Sequence, residues 1–270
     1  MADPPIILTD PARELADLCT ALIGGAGNAT GDRYLASHFG VPAWSYDFHR
    51  IVGAVVSRIE FLKEIVGELD LDSDFKNEMI GHIEIVKSVF GGDSFRNHWS
   101  QFGGTRLVAE HIQPLKALSG QVRASVSYKK LTDEEIAAVL ALSEELRGWL
   151  QEANLREHDF IRGLLIQALA DFEFRLRHLR WAGIGYTLDG LRNVISAYLL
   201  LERGGIDQNV DPVAQAVLQK VPAFLKNVWG KVQGGREVWD TADWLLRIYG
   251  AVAAIQGGTP VITALLSKTS

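Results

Sequence analysis

The sequence predicts an all-α, multi-helix fold, and three observations carry that prediction. Apolar residues recur with the 3.6-residue period over long stretches, and capping residues precede those stretches while glycines follow them. No segment alternates polar and apolar residues between turn signals at strand spacing.

Taken in order, Asp10 reads as an N-cap with Pro11 at the first helical position, opening a helix that ends at Gly24-Gly25. Gly24 to Asp32 is a loop by composition. Ser45 caps a helix whose apolar positions Phe48, Ile51, Val52, Val55, Ile59, Leu62, Val66 and Leu69 follow the helical period. A further helix runs from about Asp72 to Phe90 and stops at Gly91-Gly92. Residues 91–130, with Gly103-Gly104, Pro114 and Gly120, read as irregular with one short helix. Thr132-x-x-Glu135 is a capping box for an amphipathic helix to about Glu152, and another helix runs from near Glu157 to about Trp181. Further helices are expected near 188–203, 211–219, 222–232 and 236–256.

Asp74-Phe75 can be laid on Asp159-Phe160, each opening the second helix of a helical hairpin, and two such hairpins packed antiparallel would form a bundle. The expected organisation is an N-terminal helical region (1–130), a second hairpin packed on the first (131–205), and C-terminal helices with an apolar tail (206–270).

The bulk numbers suit a globular helical protein. The chain has 270 residues, 47% hydrophobic and 22% charged, with ample material for a core. A net charge of −6 argues against broad nucleic-acid binding, because counterion release needs a basic face. The single Cys19 excludes an intramolecular disulfide and a cysteine-cluster zinc site, which fits a reducing cytoplasm; its helical spacing with Leu15, Leu18 and Leu22 predicts a buried thiol. The N-terminus MADPPIILTD has no basic-then-apolar pattern of a secretory signal.

Two hairpins, a glycine-punctuated turn followed by Gly190-Leu191-Arg192, a Trp-containing helix and an apolar tail make a pattern over about residues 45–260. In that pattern the chain resembles a loose group of all-helical bacterial proteins suspected to act in phage defence or stress responses. The resemblance rests on spacing and Leu/Trp placement, and it carries over no catalytic residues.

Motif by motif, little chemistry is indicated. The glycine loop is followed by Asp32 and Arg33 where a P-loop needs Lys-Ser/Thr. Asp70, Asp72, Asp74 and Glu78 suggest a calcium loop, but Phe75 and Gly81 stand where its Gly and Glu belong, and Asp72 or Ser73 reads better as an N-cap. The seven histidines, His38, His49, His82, His98, His111, His158 and His178, form no close pair with metal-ligand spacing, so no metal or cofactor is expected. The one concentrated basic stretch, Arg175, Arg177, His178 and Arg180 with Arg192 beyond it, is a candidate surface for a phosphate-bearing ligand, an acidic partner or a lipid headgroup, unless nearby acids neutralise it. Arg192-Asn193 followed by Tyr198, and Arg180 followed by Tyr186, resemble the Arg-polar-x4-His element of HEPN-type ribonucleases. Tyrosine holds the histidine position in both, so a degenerate relative is the form such a bundle would take.

The apolar ending points furthest toward function. Trp239 precedes a run from Trp244 to Leu266 in which Arg247 is the sole charge, carrying Leu245, Leu246, Ile248, Tyr249, Val252, Ile255, Val261, Ile262, Leu265 and Leu266. A single membrane span needs ~20 apolar residues. The run is long enough, yet Gly257-Gly258-Thr259-Pro260 interrupts it. The sequence therefore predicts a non-enzymatic effector that oligomerises or binds a protein partner and perturbs a membrane conditionally through this segment. Its expected location is the cytoplasm, at or inserting into the inner membrane. A soluble helical scaffold with a buried tail is the competing reading.

Overall fold

The structure, a computed structural model, describes residues 7–24, 27–155, 158–203 and 212–232. It is all-α apart from a pair of two-residue strands, β1 (Leu8–Thr9) and β2 (Tyr128–Lys129), a sheet that the sequence pattern is too short to reveal. The chain organises into two compact units, one of Thr9–Ser127 with His178–Tyr186, the other of Met1–Leu8, Tyr128–Arg177 and Thr187–Ser270.

The first unit contains α1 (Pro11–Ala21), α2 (Gly31–Phe39), α3 (Tyr46–Glu68), α4 (Ser73–Ser88), α5 (Gly92–Arg96), α6 (Gly103–Arg106), α7 (Ala109–Ser125) and α10 (Leu179–Ala182). The expected caps are in place: Asp10 Oδ1 accepts from Arg13 N at 2.9 Å, Ser45 Oγ from Phe48 N at 3.1 Å, and Asp72 Oδ1 from Asp74 N at 2.9 Å. α1 packs on α7 and α3, α3 on α4, α4 on α7, α2 on α3 and α5, and α10 on α3. Leu15 and Cys19, then Ile51, Val55, Ile59 and Leu62, with Ile83, Val86, Leu115, Leu118 and Val122, are fully buried, each set at helical spacing on its own element.

Two differences from the sequence expectation lie here. Gly31–Phe39 is a helix, hidden because its glycine sits at the end of a glycine-rich loop, while Tyr34, Leu35 and Phe39 supply the buried face. Ala109–Ser125 is a 17-residue helix in spite of Pro114 and Gly120. Burial of Ile112, Leu115, Leu118 and Val122 along one stripe outweighs the lost backbone bond at proline.

The C-terminus of α1 is closed by an aromatic pair. Tyr34 and Trp99 stack with ring centroids 4.6 Å apart, Tyr34 Oη donates to the carbonyls of Gly24 (2.6 Å) and Leu22 (3.2 Å), and Trp99 Nε1 also donates to Leu22 (3.3 Å). Beside it, Thr30 and His98 form an isolated antiparallel bridge, and Gly31 N donates to the Asn97 carbonyl at 3.0 Å.

The second unit contains β2, α8 (Asp133–Glu152), α9 (Asp159–Arg177), α12 (Leu191–Arg203) and α13 (Pro212–Val232), with α11 (Ile184–Asp189) running into it. α8 opens with the expected reciprocal capping box of Thr132 and Glu135. α8 packs on α9, α9 on α12, α12 on α13 and α13 back on α8, a closed four-helix arrangement. The two segments expected near 211–219 and 222–232 are one helix running through Pro222. Its buried stripe, Ala214, Val217, Val221, Phe224, Val228 and Val232, keeps register across the proline, and that burial exceeds a penalty of ~3 kcal/mol. The helix expected to about Trp181 ends at Arg177 and resumes as α10 after His178. The two hairpins expected from the duplicated pattern are α3–α4, in the first unit, and α8–α9, in the second.

The close approach at α2 yields a testable outcome. A Cβ on Gly31 would lie 2.0 Å from the Ser94 carbonyl oxygen, an atom the backbone of α5 cannot move cheaply. Gly31→Ala should destabilise the protein by about 1–3 kcal/mol, read as a lower urea midpoint at unchanged slope. An unchanged midpoint contradicts the packing described.

Candidate functional site

The tail residues Trp239, Trp244, Leu245, Leu246, Ile248, Tyr249, Val252, Ile255, Val261, Ile262, Leu265 and Leu266 lie outside the described residues. Among the described residues no helix is long and apolar enough to cross a membrane.

The basic stretch divides between the units. Arg175, on α9, and Arg192, on α12, converge on one carboxylate: Arg192 Nη1 is 3.1 Å from Asp189 Oδ1 and Arg175 Nη1 is 4.0 Å from Asp189 Oδ2. Gly190 leaves room for this, since a Cβ there would stand 3.2 Å from Arg175 Nη1. Arg177, half exposed, pairs with Glu144 on α8. His178 and Arg180 belong to the first unit, where the Arg180 guanidinium lies 4.7 Å from the centre of the Trp181 ring. Burial, reinforced by the Arg180 charge, holds the His38 imidazole below its ordinary pKa. Glu144 and Asp189 thus meet arginines of this stretch, while Glu173 serves Arg147 (2.9 Å) and Ser143 (3.1 Å).

At the ribonuclease-like positions, Tyr198 is buried in α12 and its hydroxyl donates to Glu202 Oε1 at 3.4 Å. Arg192 is engaged with Asp189.

Sequence reasoning missed the most unusual polar group of the first unit. Arg58 is on α3 with 3% of its side chain exposed. Its Nη1 donates to the carbonyls of Trp181 (3.1 Å) and Arg180 (3.5 Å), and its Nη2 is 3.9 Å from Glu14 Oε2. Its Nε has no hydrogen-bond partner. Glu14, on α1, accepts from the Ile184 backbone N–H at 3.0 Å. Gly183, at φ +75°, turns the chain between these contacts, where a Cβ would come 2.7 Å from Arg58 Nε and 2.8 Å from Glu14 Oε2. The signal was present in the sequence, since Arg58 stands three residues after Val55 and four before Leu62, on the apolar stripe of α3.

The chain matches no known protein family, no curated protein and no solved structure.

Burial is the dominant influence on this cluster. It raises the Glu14 carboxyl from 4.5 to about 7 against the opposing pull of Arg58 and the Ile184 N–H, and it pushes the Cys19 thiol up to about 12. The thiol is therefore inert and buried, as its spacing predicts. Glu14 therefore exchanges a proton close to neutrality, between the Arg58 guanidinium and the Ile184 N–H.

Because the folded protein holds the Glu14 proton more tightly than the unfolded chain, its contribution is complete below pH 4.5 and is lost as pH rises through about 7. The loss is on the order of 3 kcal/mol. Glutamine keeps an acceptor for Ile184 but cannot ionise. The stability of Glu14→Gln relative to the parent should therefore climb between pH 5 and 8, as measured by denaturant unfolding at each pH. A difference independent of pH would show that Glu14 does not titrate in this range.

Proposed function

We propose that this protein is a non-enzymatic helical effector that oligomerises and perturbs a membrane conditionally through residues 239–266. The observation that carries the reading is the sequence from Trp244 to Leu266, with its single charge at Arg247 and with Trp244 and Tyr249 at one end. Arg247 near the start of the run can reach an interface at modest cost, whereas Gly257 to Pro260 would divide a continuous span. A segment with both features suits two environments, a sheltered one within or between protein chains and a lipid one reached after a trigger. Bacterial antiviral defence is the setting that the family resemblance implies, and Arg175, Arg177, His178, Arg180 and Arg192 are the surface at which a trigger or partner would act.

The interruption at Gly257–Pro260 also favours a second reading, a soluble interaction scaffold whose tail is buried against protein. Liposome flotation separates the two. The full-length chain should float with vesicles containing anionic lipid and release an entrapped dye, while a chain ending at Gly235, which retains all of α13, should stay at the bottom. If neither floats, with the shortened chain insoluble, the tail is core in the untriggered protein and the scaffold is the better reading.

A further inference from the structure

The sequence separates His82 and His111 by 29 positions, yet the packing of α4 on α7 joins their rings in a head-on hydrogen bond, Nδ1 to Nδ1 at 2.9 Å. Both stand at the margin of that helix pair, beside the buried Ile83 and Ile112, and both are only partly buried.

Such a bond restricts where protons can sit. One nitrogen must carry the hydrogen and the other must keep its lone pair. Glu78, one turn before His82 on α4, has Oε1 3.9 Å from His82 Nε2, and a carboxylate there favours the proton on that nitrogen. His82 Nδ1 is then the acceptor and His111 Nδ1–H the donor. His111 can gain a second proton on its outer nitrogen, Nε2, without disturbing the bond. His82 cannot, because its free lone pair is the one that accepts from His111. A proton placed there sets two N–H groups and two positive charges against each other.

The surroundings leave this balance to the pair and Glu78. One turn to either side of His111 stand Leu107, Val108, Pro114 and Leu115, and Glu110 beside it is exposed. Charges on the packed elements are matched elsewhere: Glu60 and Lys63 of α3 pair with Lys87 and Glu84 of α4, and Asp10 of α1 pairs with Arg123 of α7.

We propose that the His82–His111 pair is an acid-sensitive latch, which holds α4 to α7 while the two rings carry at most one extra proton and releases them when both are charged. The latch lies within the first unit, and its test does not involve residues 239–266. An unfolded chain charges both imidazoles as the pH falls below about 6.5. The folded pair binds one proton fewer, so its contribution is complete above that pH and is lost as the pH falls further. Glu14 acts in the opposite direction over this range and His38 in the same direction, so the pair is read as a difference between proteins that keep both.

Urea unfolding of the full-length protein at pH 7.5, 6 and 5, beside His82→Gln and His111→Gln, supplies that difference. Glutamine takes no proton, so each variant leaves one ring free to charge. Between pH 7.5 and 5 the folding equilibrium constant of the parent should fall at least about tenfold more than that of either variant. A second readout needs no substitution. In protein labelled with ¹⁵N-histidine, nuclear magnetic resonance at pH 7.5 should show the proton on Nδ1 of one ring of the pair and on Nε2 of the other, and on acidification the two rings should charge in separate steps. An equal acid response of the parent and either variant overturns the proposal, as does simultaneous charging of both rings.

Discussion

A guanidinium taken out of water must have its charge and its donors met, and in the first unit Arg58 organises three elements to meet them. Glu14 comes from α1, the carbonyls of Arg180 and Trp181 come from α10, and Arg58 itself rises from the middle of α3. The requirement propagates outward. The chain must turn tightly after α10 so that the Ile184 N–H faces Glu14, and the turn passes so near both charged groups that only glycine fits at 183. Residues 178–186 are in this way committed to the first unit, although their neighbours in sequence on both sides belong to the second. The same burial that makes Arg58 costly raises the Glu14 carboxyl to about 7, so charge in this cluster depends on pH.

Two more buried carboxylates act on the same principle. Asp10, with no exposed surface, caps α1 and also accepts from Ser119 Oγ at 2.6 Å and Arg123 Nη2 at 3.2 Å, which ties α1 to α7. Glu173 on α9 accepts from Ser143 and Arg147 of α8. Measured against an apolar replacement, such pairs add little net stability. Their effect is geometric, because a helix pair slipped by one turn would leave a buried carboxylate unmet. Leucine and valine stripes tolerate several registers, and these polar pins select one.

The local features of the fold were legible because their causes are local. Asp10, Ser45, Asp72 and Thr132 each bond backbone N–H groups within three residues, so their roles can be read from a few letters of sequence. Pro114, Gly120 and Pro222 misled for the opposite reason. Their local penalty was visible, while the tertiary burial that exceeds it was not. α2 was obscured by the glycine loop that precedes it, and β1 and β2 are too short to leave a periodic trace. For the sites, Arg58 announced itself by occupying a core position of α3. The 2.9 Å hydrogen bond between the rings of His82 on α4 and His111 on α7 depends on how two separate helices pack, and no spacing rule along the chain expresses that.

The distribution of apolar surface bears on what the tail must do. In the second unit, α13 already spends its apolar stripe inside the four-helix arrangement, from Ala214 to Val232. Past Arg236, Glu237, Asp240 and Asp243 the sequence becomes as apolar again, with Trp244, Leu245, Leu246 and Ile248 close together. At about 25 cal/mol per Å² of apolar area removed from water, leaving such a run solvated is costly on the scale of a domain's whole stability. The proposed function gives that cover to lipid or to a second copy, and the competing scaffold reading gives it to protein. Arg247 narrows the choice to environments that place its charge at a boundary: a helix end at a bilayer surface, or the rim of a protein interface. The Gly257–Pro260 interruption within the run suits neither a continuous span nor a continuous core helix, which is why the membrane role proposed for it is a conditional one.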